Sequence, residues 1–159
     1  MIKDIFILLI KMDNNINNCE DYIAPWKQTK YLVLSSSFFL FPCFYGYYYK
    51  VYWYSNTIFL ASIISINYWR DAKYCWRRYL DLIYSKIVFV ISVTTGIMYI
   101  KYYLHLIIAY VFLFLIFCSY SLSELLYCRK NNNWYVYHMI FHMLMTYEQF
   151  IIINSLIEN

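Results

Sequence analysis

Two histidines near the end of the sequence, His138 and His142, are the residues best placed to do chemistry. Side chains four apart on a helix lie one above the other on the same face, so both imidazoles could reach one ion. Zinc fits such a pair, with Zn–N distances of about 2.0–2.1 Å. The stripe continues through Met145 and Gln149, so a packed, hydrogen-bonded polar face explains the pair equally well.

Membrane-spanning helices are the elements that must position these residues. Hydrophobic residues make up 63% of the chain and charged residues 14%, against about 45–50% and 25% in soluble domains. The apolar runs are continuous and suit helices that cross about 30 Å of hydrocarbon, whereas a barrel would alternate in segments of about ten residues. We predict an all-α integral membrane helical bundle with about five transmembrane helices, at 31–49, 53–69, 80–100, 102–120 and 134–153.

The polar ends of these spans predict how the chain is oriented. Residues 1–30 are expected to form a cytosolic N-terminal segment with a short interfacial apolar run, and 31–159 a single transmembrane domain. Basic residues concentrate on the cytosolic side of a membrane, so the charge asymmetry predicts a cytosolic N-terminus and an outside or lumenal C-terminus. One side carries only Lys50 and Lys101, and the other carries Lys3, Lys11, Lys27, Lys30, Arg70, Lys73, Arg77, Arg78, Arg129 and Lys130.

This orientation brings four polar residues into one leaflet. Asp81 begins the third predicted span, and Ser65 lies about one turn from the cytosolic end of the second. His138 and His142 lie about one to two turns into the last span from the same surface. Ionisable groups within spans are costly and are functional candidates by default. Their matching depth on three helices is what a site built across a bundle requires.

The order of a serine near the end of one span, an aspartate at the start of the next and HxxxH in the last resembles the CREST superfamily of membrane hydrolases, which includes alkaline ceramidases and the progestin and adipoQ receptors. The resemblance implies zinc-dependent hydrolysis of a membrane lipid amide. It implies His138 and His142 as zinc ligands, Asp81 as a further ligand or general base, and Ser65 as a hydrogen-bond donor to the substrate. The chain departs from the family at Trp69, where the pattern has histidine, and in having five predicted spans instead of seven.

Two other classes of function remain open from the sequence. One is a non-catalytic structural or interaction protein with a degenerate site. The other is a small channel or transporter subunit in which Lys86 and Glu148 line a path, although these two could also form an interhelical ion pair. Membrane lipids are the expected partners, and a homo-oligomer could complete a larger bundle. The basic loop 70–79 is too small a surface to predict nucleic-acid binding.

Overall fold

The computed structural model describes residues 22–158, so most of the predicted N-terminal segment lies outside the described residues. Apart from one isolated bridge between Tyr22 and Lys73, the regular structure in that range is helical. Three helices, Trp76–Tyr99, Tyr103–Cys128 and Trp134–Ile157, are long and apolar enough to cross a membrane. The prediction of an all-helical fold is therefore confirmed, the three long apolar helices are consistent with a membrane protein, and the count of five spans stays a prediction. The helices are α1 (Trp26–Ser37), α2 (Leu40–Tyr48), α3 (Tyr52–Trp69), α4 (Trp76–Tyr99), α5 (Tyr103–Cys128) and α6 (Trp134–Ile157).

The first predicted span, 31–49, is two helices because of Pro42. Proline has no N–H for the carbonyl four residues earlier, and its ring collides with that carbonyl. That carbonyl belongs to Phe38, and it accepts instead from the Phe41 N–H at 3.1 Å. The regular helix therefore stops after Ser37 and resumes at Leu40. Together α1 and α2 cover slightly more than the predicted span.

Two other boundaries also differ from the prediction. The third span was predicted from residue 80, but α4 begins at Trp76, directly after the extended residue Cys75. The fourth was predicted to end at residue 120, but α5 continues to Cys128. No proline or glycine interrupts that stretch, so the helix runs on past the apolar part of the sequence. At about 1.5 Å per residue it exceeds the thickness of the hydrocarbon core, which places its last turns near a membrane surface.

Two apolar clusters hold the helices together, one at each end of the bundle. The first lies where α1, α4 and α6 begin and α3 and α5 end, a region we call the basic end, and it is centred on Leu32, Trp69 and Trp134. The second lies at the far end, around Tyr54 and Ile153. Basic side chains collect around the first of these regions, namely Lys27, Lys30, Arg70, Lys73, Arg77, Arg78, Arg129 and Lys130.

Asp71 organises the loop between α3 and α4. Its carboxylate lies 2.7 Å from the Arg77 guanidinium and 3.5 Å from the Lys73 ammonium. The hydrogen bond from Arg77 is the main reason that the pKa of Asp71 lies below its usual range, with Lys73 adding to the effect. The loop is also tied to the chain before α1, because the Ile23 N–H donates to the Ala72 carbonyl at 2.9 Å.

We expect Asp71→Asn to lower the free energy of unfolding by less than about 1 kcal/mol at neutral pH, since these ion pairs are partly exposed to solvent. Because folding lowers the pKa of Asp71, the stabilisation is present at neutral pH and disappears as the pH falls through the folded-state pKa. Thermal unfolding of both proteins at neutral and acidic pH measures this. Glu124→Gln, at an exposed carboxylate of α5, is the control. A difference between Asp71→Asn and wild type that persists in acid would contradict the assignment.

Candidate functional site

His138 and His142 lie together on α6, as their spacing predicts. Their ring centroids are 4.9 Å apart, and the planes are inclined at 74°. His142 is buried, with a relative exposure of 4%, and His138 is partly buried. Met145 and Gln149, the next members of the predicted stripe, are buried as well. The polar face of α6 therefore points into the bundle.

Serine hydroxyls orient the His142 ring. Its Nδ1 lies 2.8 Å from Ser35 Oγ and 3.4 Å from Ser36 Oγ. Both hydroxyls also lie within hydrogen-bonding distance of the Leu32 carbonyl, at 3.1 and 2.8 Å. The Ser35 hydroxyl can donate either to the Leu32 carbonyl or to Nδ1, and in both cases the contact with Ser35 occupies Nδ1. A further ligand of His142 would then have to use Nε2.

His138 is held in a similar way. Its Nδ1 lies 3.4 Å from Ser123 Oγ, and that hydroxyl donates to the Trp134 carbonyl at 3.2 Å. The contact with Ser123 occupies Nδ1 of His138 in the same way. Hydrogen bonds of this kind fix the tautomer and ring orientation of histidines in metal sites, although they also satisfy buried polar groups in ordinary cores.

The remaining two predicted site residues join the same network. Ser65 Oγ on α3 lies 3.1 Å from Ser36 Oγ on α1, and the Ser65 side chain lies next to the Asp81 carboxyl on α4. A polar path thus runs from Asp81 through Ser65 and Ser36 to His142. It connects four helices, and we call these residues, with Ser35 and His138, the histidine cluster.

Trp69 closes the cluster on the side of the basic end. Its ring centroid is 5.1 Å from that of His138 and 6.1 Å from that of Trp134. The side chain is buried, and among residues 22–158 its Nε1 has no hydrogen-bond partner. Where the CREST pattern has a third histidine, this chain packs a large ring edge-on against His138.

The zinc site stays a prediction. Within residues 22–158, no group of three histidine, cysteine, aspartate or glutamate side chains is placed to hold a metal ion. Among residues 22–158, the Asp81 carboxyl makes no hydrogen bond or ion pair with either imidazole, and its polar neighbour is Ser65. Catalytic zinc normally has three protein ligands. In this cluster two imidazoles, those of His138 and His142, lie next to each other.

A second polar network, which the sequence did not reveal, links α3, α4 and α6 farther from the basic end. The Tyr54 hydroxyl donates to Gln149 Oε1 at 2.6 Å and lies 3.0 Å from Ser92 Oγ. Gln149 Nε2 donates in turn to Ser92 Oγ at 3.2 Å. All three residues are buried. Tyrosine is so frequent in this chain that composition alone does not single out Tyr54.

Lys86 and Glu148 are not paired with each other. Lys86 is exposed on α4, and Glu148 is buried on α6. The ion pairs found in the described part of the chain all belong to Asp71.

No family model matches this chain, and no curated protein or solved structure is significantly similar.

Proposed function

We propose that this chain is a non-catalytic, structural or interaction protein of the membrane, in which the histidine cluster joins the helices near the basic end. The main support for this proposal is the position of the Trp69 ring, which packs against His138. At the position of Trp69 the CREST pattern has a histidine that binds zinc. The two imidazoles are instead hydrogen-bonded to serines of other helices. The hydrogen bonds of the histidine cluster then serve packing between helices.

The proposed topology has five spans, with α1 and α2 forming the first. The basic end lies at the cytosolic surface, and the C-terminus lies outside or in a lumen. Large apolar side chains that cover the outside of α5, such as Phe114 and Phe117, are exposed and would contact lipid chains. Membrane lipids are accordingly the proposed surroundings and partners.

A zinc-dependent hydrolase of lipid amides is the second candidate, and one observation favours it. Ser65, Asp81, His138 and His142 come from three helices and gather in one cluster of hydrogen bonds and side-chain contacts. Both imidazoles keep Nε2 for a further ligand if their protons are on Nδ1. Zinc binding would still require Asp81 to move next to the imidazoles, because two ligands are too few.

Metal content separates the two candidates. We expect detergent-purified wild-type protein to contain zinc only at the level found in the His138→Ala/His142→Ala variant. His105→Ala, which changes a histidine of α5 outside the cluster, is the matched control. Stoichiometric zinc in the wild type and the control, but not in the double variant, would overturn the structural proposal. Release of fatty acid from a panel of ceramides would then test the hydrolase directly.

A further inference from the structure

A narrow groove lies between α4 and α5, with α6 as its floor. α5 packs chiefly on α6, and α4 packs on α3 and α6, so α4 and α5 are not closely packed on each other. The gap contains a cavity of about 40 Å³, which is lined by Ser92, Gly96, Tyr110, Leu113, Glu148 and Ile152, among others. A single water needs roughly 10–15 Å³ by this measure. The cavity therefore has room for a small polar group of ammonium size.

Glu148 is the ionisable residue of this groove. Its side chain is buried, with 5% relative exposure, and it lines the cavity. Within residues 22–158 its carboxyl has no hydrogen bond or ion pair, whereas its neighbour Gln149 is bonded to Tyr54 and Ser92. Ionisable groups at membrane depth are costly and usually paired. A carboxyl that faces a cavity without a protein partner indicates a ligand of opposite charge.

The rest of the groove indicates what kind of cation fits. No other histidine, cysteine, aspartate or glutamate in the described range joins Glu148 to form a metal site. Tyr110, on α5, contributes an aromatic ring of the kind that attracts ammonium groups. Most of the remaining lining, including Ile97 and Leu113, is apolar and suits an alkyl chain. Because the gap lies between two helices with exposed apolar faces, a ligand could enter it from the lipid.

We propose that Glu148 binds the ammonium group of an amphiphilic amine, which enters from the bilayer between α4 and α5 with its chain against the apolar lining. This site is separate from the histidine cluster and independent of the function proposed for it. The Glu148 carboxylate would supply the negative charge that pairs with the ammonium group. The Tyr110 ring would supply a cation–π contact, and the apolar lining would bind the alkyl chain of the amine.

Photolabelling of the full chain in uncharged detergent tests the site. The probe is dodecylamine with a diazirine in its chain, and a dodecanol with the same diazirine is the uncharged control. We expect the amine, but not the alcohol, to label peptides of α4 and α5. Glu148→Gln should weaken the labelling at least about tenfold, equivalent to about 1.4 kcal/mol of binding free energy.

Two further variants keep the result interpretable. Glu124→Gln removes an exposed carboxylate of α5 and should label like wild type. Ala109→Phe fills the groove without changing its charge and should reduce labelling as Glu148→Gln does. Equal labelling of wild type and a folded Glu148→Gln protein would overturn the proposal, as would equal labelling by amine and alcohol. A shift from dimer to monomer in Glu148→Gln would also overturn it, by showing that a second copy provides the cation.

Discussion

Gly46→Ala is expected to destabilise the protein by about 1–3 kcal/mol, the usual cost of forcing extra atoms into a packed interior. Gly46 is buried on α2, where the helix passes closest to α3. A Cβ added there would collide with Ser55 Oγ and would also lie 3.4 Å from Ile153 Cδ1. Ser55 cannot rotate away freely, because its hydroxyl donates to the Val51 carbonyl at 2.8 Å. Thermal unfolding in detergent measures the loss.

Gly96→Ala is the matched control for this variant. A Cβ at Gly96 would meet its nearest neighbours, Ile100 Cδ1 and Ile152 Cγ1, at 3.6 and 4.0 Å, which are ordinary contacts. Alanine also favours helix over glycine by roughly 0.5–1 kcal/mol, so this change should be neutral or stabilising. The double variant Gly46→Ala/Ser55→Ala removes the colliding oxygen and should recover most of the loss. If the double variant is no more stable than Gly46→Ala, the close contact is not the cause.

His142→Ala is expected to cost about 2–4 kcal/mol, in the range of large-to-small changes at buried positions. The ring packs against Phe39, with centroids 5.6 Å apart, and it carries the hydrogen bond from α6 to Ser35 on α1. Alanine loses both contributions. His142→Phe keeps most of the volume and loses only the hydrogen bond, worth about 0.6–1.7 kcal/mol between helices in a membrane. Thermal unfolding of the two variants separates packing from hydrogen bonding.

The control for this comparison is His105→Ala, because His105 lies outside the cluster, with its ring 5.6 Å from Tyr102. We expect a change within about 0.5 kcal/mol, as for most exposed or partly exposed sites. A chelator should leave the wild-type unfolding temperature unchanged if His142 acts through packing alone. A large drop with chelator, seen in the wild type and absent in His142→Ala, would show that a bound metal provides the stability.

Depth along the helices could be predicted from the sequence, because each residue advances a helix by about 1.5 Å. Counting from the basic end placed Ser65, Asp81 and the two histidines at similar heights, and the structure links all four in one network. The four-residue spacing likewise placed both histidines on one face of α6. These inferences use only distances within single helices.

Lateral position could not be predicted in the same way. Asp81 has the expected height but stands behind Ser65 and not beside the imidazoles, since helix rotation and packing decide that direction. Ser35 and Ser36 are small residues of the kind that let helices approach closely, and their spacing alone does not mark them as partners of a histidine. Their role as partners of His142 depends on how α1 is turned toward α6, and the break before Pro42 makes that rotation hard to infer from periodicity.

α5 packs mainly on a single neighbouring helix, α6, and this has a consequence for how the chain assembles during synthesis. α5 packs chiefly on α6, the helix that is made after it, and packs little on the four helices made before it. Until α6 leaves the ribosome and inserts, α5 has few protein surfaces to bind and must remain among lipid chains. The strongly apolar α5 is stable among lipid chains during this time. The polar face of α6, by contrast, is buried against the earlier helices and requires contact with them as soon as α6 inserts. Arrival of α6 would therefore be the step that joins the early helices and α5 into one bundle.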